Sequence, residues 1–159
     1  MNELSDLPAV GPAFLVSQLG YYAAAAFGRG LRQLHLEPRH VGVLRLVVRS
    51  GGMVQGDLVR RLHVLPSRLV LLLDELEGLG LVERRTDPAD RRRNIVVPTE
   101  AGRARMQSVA KVSDDLDEQL LAALPTAERS AFIATAQRLA AAHGLLPGVH
   151  PSYQEDTDA

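Results

Sequence analysis

The chain contains no cysteine. That absence removes a disulfide framework, a thiolate metal site, a cysteine nucleophile and a thiol redox switch from consideration. Tryptophan is also missing, and aromatic residues make up only 4% of the 159 residues. The core must then be assembled mainly from Leu, Val and Ala, which favours helices packed on helices. No apolar run reaches the ~18 residues that a membrane span needs. Glu3 and Asp6 precede any apolar run, unlike the start of a secretory leader. A soluble cytoplasmic protein with no membrane partner is expected. Apolar residues amount to 46%, enough for one packed domain and too many for a disordered chain.

Lysine is nearly absent as well, Lys111 being the only one. The net charge of −1 argues, taken alone, against nucleic acid, but the charges are unevenly placed. From Arg39 to Arg105 there are 13 arginines against 8 carboxylates, a balance of +5, while the remainder carries 5 cations against 11 carboxylates, a balance of −6. A basic centre between acidic ends is a local electrostatic footprint that the overall charge conceals.

Hydrophobic periodicity organises the chain. A helix is expected from Pro12 to Leu34, with Leu15, Leu19, Tyr22 and Ala26 on one side, and a second from Pro38 to Arg49 with Val41, Leu44 and Val48 as its stripe. Ser50, Gly51 and Gly52 stop it. A short helix over Gln55 to Leu62, a tight connection at His63, Val64 and Leu65, and a helix from Pro66 to Leu79 make a helix-turn-helix. The period then changes to that of strands, Leu81 to Arg85 and Arg93 to Val97, around a turn at Asp87, Pro88, Ala89 and Asp90. This arginine-tipped hairpin stands where a winged helix places its wing. Thr99 is a candidate N-cap for a helix to Ala123, and Thr126 for a last helix with Phe132, Ala136 and Leu139 on its apolar face. The expected fold is mainly α with a small β-hairpin wing. A dimerisation helix occupies 1–36, a winged helix-turn-helix core 37–100, dimerisation helices 101–146 and a mobile tail 147–159. The terminal helices carry more apolar surface than so small a core can cover, so a two-fold homodimer is expected.

Three linked motifs carry a resemblance. Leu79-Gly80-Leu81-Val82-Glu83-Arg84-Arg85 leads to Asp87-Pro88-Ala89-Asp90-Arg91-Arg92, and Val97-Pro98-Thr99-Glu100-Ala101-Gly102-Arg103 closes the wing. Together they resemble the MarR family of bacterial transcription regulators, over about Leu15 to His143. The resemblance implies a winged helix-turn-helix dimer that binds pseudo-palindromic operators in double-stranded DNA, as a repressor, released by a small aromatic or anionic effector. It implies Arg92 as the side chain entering the minor groove, which attracts inserted arginine where it is narrow. Arg91 and Arg93 flank it, and Asp90 can brace the hairpin by accepting from neighbouring arginines or turn amides.

On the helix from Pro66, Leu69, Leu72, Leu73 and Leu76 share the inward stripe at 100° per residue, while Ser67, Leu71, Asp74 and Gly78 lie opposite and Arg68, Val70 and Glu75 flank them. Ser67, Arg68, Val70 and Leu71 are the candidate base-reading residues. The family usually has Ser or Thr followed by Thr-Arg where this chain has Val70 and Leu71, and a basic residue where it has Glu75. Val70 or Leu71 could touch a thymine methyl, or Leu71 could pack on another element. Arg60, Arg61, Arg84 and Arg85 are candidate phosphate contacts, or members of ion pairs with Asp57 or Asp87. By the same resemblance Arg39 and His40, with Tyr21, Tyr22 and Phe27, stand where an effector cleft is often lined; the bland reading of the tyrosines and Phe27 is core or dimer interface. His35, His40, His63, His143 and His150 show no metal-ligand spacing, and no nucleophile–base or phosphate-loop pattern suggests an enzyme or a cofactor. The alternative function is a dimeric interaction module with weakened DNA binding.

Overall fold

The computed structural model describes residues 10–145, which form six helices and three strands. The expected mobile tail, 147–159, lies outside them. Helices α1 (Pro12–Arg32) and α2 (Pro38–Ser50) are followed by the two-residue strand β1 (Met53–Val54). Then come α3 (Gln55–Leu62), α4 (Pro66–Gly78), the hairpin strands β2 (Val82–Thr86) and β3 (Asn94–Pro98), and helices α5 (Glu100–Leu121) and α6 (Thr126–Ala142).

The core sits where α2, α3, α4 and the sheet meet, and it is almost entirely aliphatic. Leu31, Leu44, Leu58, Leu62, Leu69, Leu73, Leu76 and Leu81 are fully buried, with Val43, Val47 and Val96 among them. The amphipathic reading of α4 holds: Leu69, Leu72, Leu73 and Leu76 are its buried residues. That of α2 is too narrow. His40, Val41, Gly42, Val43, Leu44 and Val47 are all buried, whereas Val48 is only partly so. The helix runs through the middle of the domain, touched by α1, α3, α4, α5 and β3, so one stripe does not describe it.

The sheet has the order β1–β3–β2, antiparallel throughout. In it Val82 faces Pro98, Thr86 faces Asn94, and Met53 faces Val96. Strand β1 is not evident in the sequence, because two residues have no period; only their pairing with β3 makes them a strand. Gly51 and Gly52 deliver the chain to it with φ of +73° and +148°, a backbone that other residues rarely adopt.

Thr99 caps α5 as expected, its Oγ1 accepting from the Gly102 amide at 3.0 Å and donating to the Gly80 carbonyl at 2.7 Å. Thr126 does not cap α6. Pro125 takes the extended N-cap conformation, Thr126 is already helical, and no side chain caps that end. Helix α6 buries none of its residues, and α1 buries only Leu31. Val16, Leu19 and Ala23 of α1, Leu120 of α5, and Phe132, Ala136 and Leu139 of α6 line an apolar groove of about 420 Å³.

Candidate nucleic-acid interface

Helices α3 and α4 are joined through His63, whose φ of +53° is the left-handed turn that ends α3. Pro66 then starts α4 in its first turn, where the missing amide hydrogen costs nothing. The hairpin returns beside them, and its tip spans residues 87–93. The start of α3 (Gln55, Gly56, Asp57), Pro66 at the start of α4, and Arg92, Arg93 and Asn94 of the wing line one open cleft of about 640 Å³. Arg60 lines it too and is paired with Asp57.

The wing tip is braced by its own carboxylates. Asp90 Oδ1 accepts from the Arg92 amide at 3.0 Å and from Arg92 Nε at 3.2 Å, and the Arg93 amide donates to the Asp90 carbonyl at 2.9 Å. The backbone hydrogen bond from Arg92, followed by that from its side chain, holds the Asp90 carboxyl below its ordinary range. Arg92 itself stays 91% exposed, so Asp90 aims the side chain without covering it. Asp87 is buried and makes an Asx-type turn, its Oδ1 accepting from the Ala89 amide at 2.8 Å. It is not the arginine partner that the sequence suggested. Arg91 and Arg93 are exposed.

On α4 the outward face is the expected one: Ser67, Val70, Leu71, Asp74 and Gly78 are exposed, and Arg68 is half-buried. Leu71 is 64% exposed. Leu65, the N-cap residue, is half-exposed and contributes no side-chain cap.

The carboxylates of this helix are engaged by neighbouring elements. Arg84 of β2 donates from Nε to Glu77 Oε2 at 2.8 Å, and its backbone amide donates to Glu77 Oε1 at 2.7 Å. Its Nη2 meets both Glu77 and Asp74. Hydrogen bonding from Arg84 lowers the Glu77 pKa, and the same bond raises that of Arg84. Arg84 therefore clamps the wing strand to α4, with Asp74 and Glu77 as partners in place of the expected Asp57 or Asp87. Asp74 and Glu77 lie on α4, ten and seven residues before Arg84 on β2, so no single helix or strand period relates them. Only the reversal of the chain after Gly80 brings them together. Arg85 pairs with Glu83 on its own strand, and Arg61 is exposed on α3.

The candidate effector residues do not converge. His40 is buried and fully used: the Glu37 amide donates to Nδ1 at 3.1 Å, so the ring proton sits on Nε2, which donates to Glu75 Oε2 at 2.7 Å. Arg39 faces Glu37 and Glu75 and lines a shallow cleft with Ser67, Arg68 and Leu71. Tyr21 and Tyr22 are exposed on α1, away from both. The cleft that does lie between α1, α2 and α5, about 340 Å³, is lined by Phe27, Val41, Arg45, Met106, Val109 and Asp114 among others. Of the sequence candidates it contains Phe27 alone. Among the described residues no group of three His, Asp or Glu side chains is placed to hold a metal ion, and no helix is long and apolar enough to cross a membrane.

Residues 36–93 match the model of the MarR family. A putative transcriptional regulatory protein for the hcr operon of Thauera aromatica is 29% identical over 146 residues, covering 85% of this chain and 86% of the relative. A transcriptional regulator of the MarR family from Rhodococcus sp. RHA1 is similar in structure, with a TM-score of 0.67 at 29% identity over 80% of this chain and 91% of that one. A mutant MarR from E. coli complexed with operator DNA shares the fold, with a TM-score of 0.68 at 23% identity over 80% of this chain and 91% of that one. The linked motifs around the wing, the element order and these likenesses agree, and the chain is similar to transcription regulators of the MarR family.

Proposed function

We propose that this protein is a homodimeric, sequence-specific DNA-binding transcription regulator, acting as a repressor, with α4 in the major groove and the wing over the adjacent minor groove. The observation that carries the reading is the shared cleft in which the wing arginines meet the first turns of α3 and α4. A phosphate backbone crossing there would meet Arg92 and Arg93 from one side and the amide-rich helix starts from the other. The E. coli protein of the same fold, complexed with operator DNA, supports the DNA partner.

The dimer rests on the apolar groove and on exposed apolar residues of α1 and α6. Phe14, Leu15, Val16 and Leu19, with Phe132, Ile133 and Leu139, are each at least 40% exposed in the single chain. Helices this long and this apolar call for a covering surface, and a second copy of the same helices supplies one. The cleft between α1, α2 and α5 is the place for an effector, with Phe27 and Met106 as apolar wall and Arg45 for an anion. An interaction module with weak DNA binding is the second reading, favoured by the exposed Leu65, Val70 and Leu71.

Selection from random duplexes, followed by binding measurements on the enriched and a scrambled duplex at matched salt, separates the two. A regulator binds the enriched duplex at least ~10³-fold more tightly. Arg68→Ala should relax discrimination at one position per half-site, by roughly 1–3 kcal/mol if the guanidinium is bidentate to guanine. Equal, weak binding to both duplexes favours the interaction module.

A further inference from the structure

We infer that α4 reads thymine through its C5-methyl group, with Leu71 as the contacting side chain and Val70 beside it; this rests on the DNA-binding reading above. Three carboxylates on α4 would otherwise oppose DNA, and each is held from the protein side. Asp74 and Glu77 are clamped by Arg84, and Glu75 is bonded to His40 and paired with Arg39. What remains on the outward face of the first two turns is the Ser67 hydroxyl, the half-buried Arg68, and the apolar pair Val70 and Leu71, at 37% and 64% exposure.

An exposed leucine there stands out against the rest of the helix. The core-directed leucines of α4, Leu69, Leu72, Leu73 and Leu76, are at 2% exposure or below. Among the described residues Leu71 stays open to solvent, while α2, α3 and β2 pack on α4. Leu71 lines a cleft with Arg39 and Arg68, and Arg60, Arg92 and Arg93 line the separate cleft at the starts of α3 and α4. An apolar strip on a face that also carries these cations complements a duplex groove edged by phosphates. It suits an apolar protein partner less well, since these guanidiniums would have to be desolvated. Within the major groove the thymine methyl is the one apolar feature that base edges present, and aliphatic side chains recognise it by contact. Neither Val70 nor Leu71 can donate or accept, so hydrogen-bond readout at these positions is closed to this chain.

Replacing thymine by deoxyuridine removes that methyl and leaves base pairing and hydrogen-bonding edges intact. The test uses the full chain and the operator obtained by selection, with each thymine replaced singly and then in both half-sites together. The expected loss is about fourfold for one contacted methyl, the factor carried by one buried apolar carbon, and about fifteenfold when both half-sites are changed. Leu71→Ala, at an exposed position where folding is unaffected, should bind thymine and uracil operators alike. Wild-type affinity that is indifferent to uracil at every position overturns the inference and leaves the DNA reading standing; a protein partner on Leu71 would produce that result. A Leu71→Ala variant that keeps the full thymine preference overturns the assignment to Leu71. Failure to enrich any duplex overturns the DNA reading together with the inference.

Discussion

At the scale of single residues, the consequential positions are those whose partners come from another element. Arg84 is the plainest case. If it acts by holding Asp74 and Glu77, then Arg84→Ala frees two carboxylates beside the groove, and DNA affinity falls although the side chain touches no phosphate. Adding Asp74→Asn and Glu77→Gln to that variant should restore most of the affinity; no restoration in a binding titration would return Arg84 to the phosphate contacts. Gly102 is a second case, because a Cβ there would lie 2.0 Å from the Leu81 carbonyl oxygen. Gly102→Ala should destabilise the fold by about 1–3 kcal/mol, as overpacking does, and an unchanged denaturation midpoint would contradict the docking of α5 on the wing base. Asp90 sets a pH dependence. Its carboxyl titrates below the ordinary range in the folded hairpin, so its bracing is fully present above the unfolded aspartate pKa and is lost as pH falls through the depressed value. The Arg92 amide should therefore exchange with solvent more readily, relative to neighbouring strand amides, in acid than at neutrality. Unchanged relative protection across that range would show that Asp90 does not brace the tip. Asp90 was legible from the sequence because its partner is two residues away. Arg84 and His40 were not, since their partners Glu77 and Glu75 become neighbours only after the chain has turned back on itself.

At the scale of elements, periodicity found what periodicity can find. The leucine stripe of α4, the switch to strands at the wing and the Thr99 cap are local patterns, and each is borne out by burial or hydrogen bonding. The misses are non-local or too short: β1 exists through its pairing with β3, and α2 is buried on several faces because both strands and helices surround it. Helices α1 and α6 pose the opposite problem. Their apolar faces are plain in sequence yet stay exposed in the chain, so the pattern points beyond the chain itself. Helix α6 is tethered to α5 through Arg129, which pairs with Glu118 at 3.4 Å and donates to the Leu124 carbonyl of the connecting turn at 3.1 Å, and it buries no residue of its own. Deleting everything after Leu124 should therefore leave the winged core folded and convert a dimer to monomer or aggregate in sedimentation. A soluble, folded dimer after that truncation would place the interface elsewhere.

At the scale of the whole molecule, the segregation of charge becomes functional geometry. Eight of the thirteen arginines of the basic centre lie on α3, α4 and the wing, and several of these are spent on internal carboxylates, which leaves the wing tip as an exposed concentration of positive charge. That arrangement gives a chain with net charge −1 a basic face on which the proposed DNA binding rests. The measurement that tests this most directly is the salt dependence of DNA binding for the wild type and for Arg92→Ala. For the wild type, log affinity should fall linearly and steeply with log salt as arginines displace condensed counterions. Arg92→Ala should weaken binding to operator and scrambled duplex together and make the slope shallower by about one unit, because the minor groove offers a degenerate pattern. A wild-type affinity that does not change with salt, or an Arg92→Ala variant that binds both duplexes as the wild type does, would contradict the wing as the arm that holds DNA.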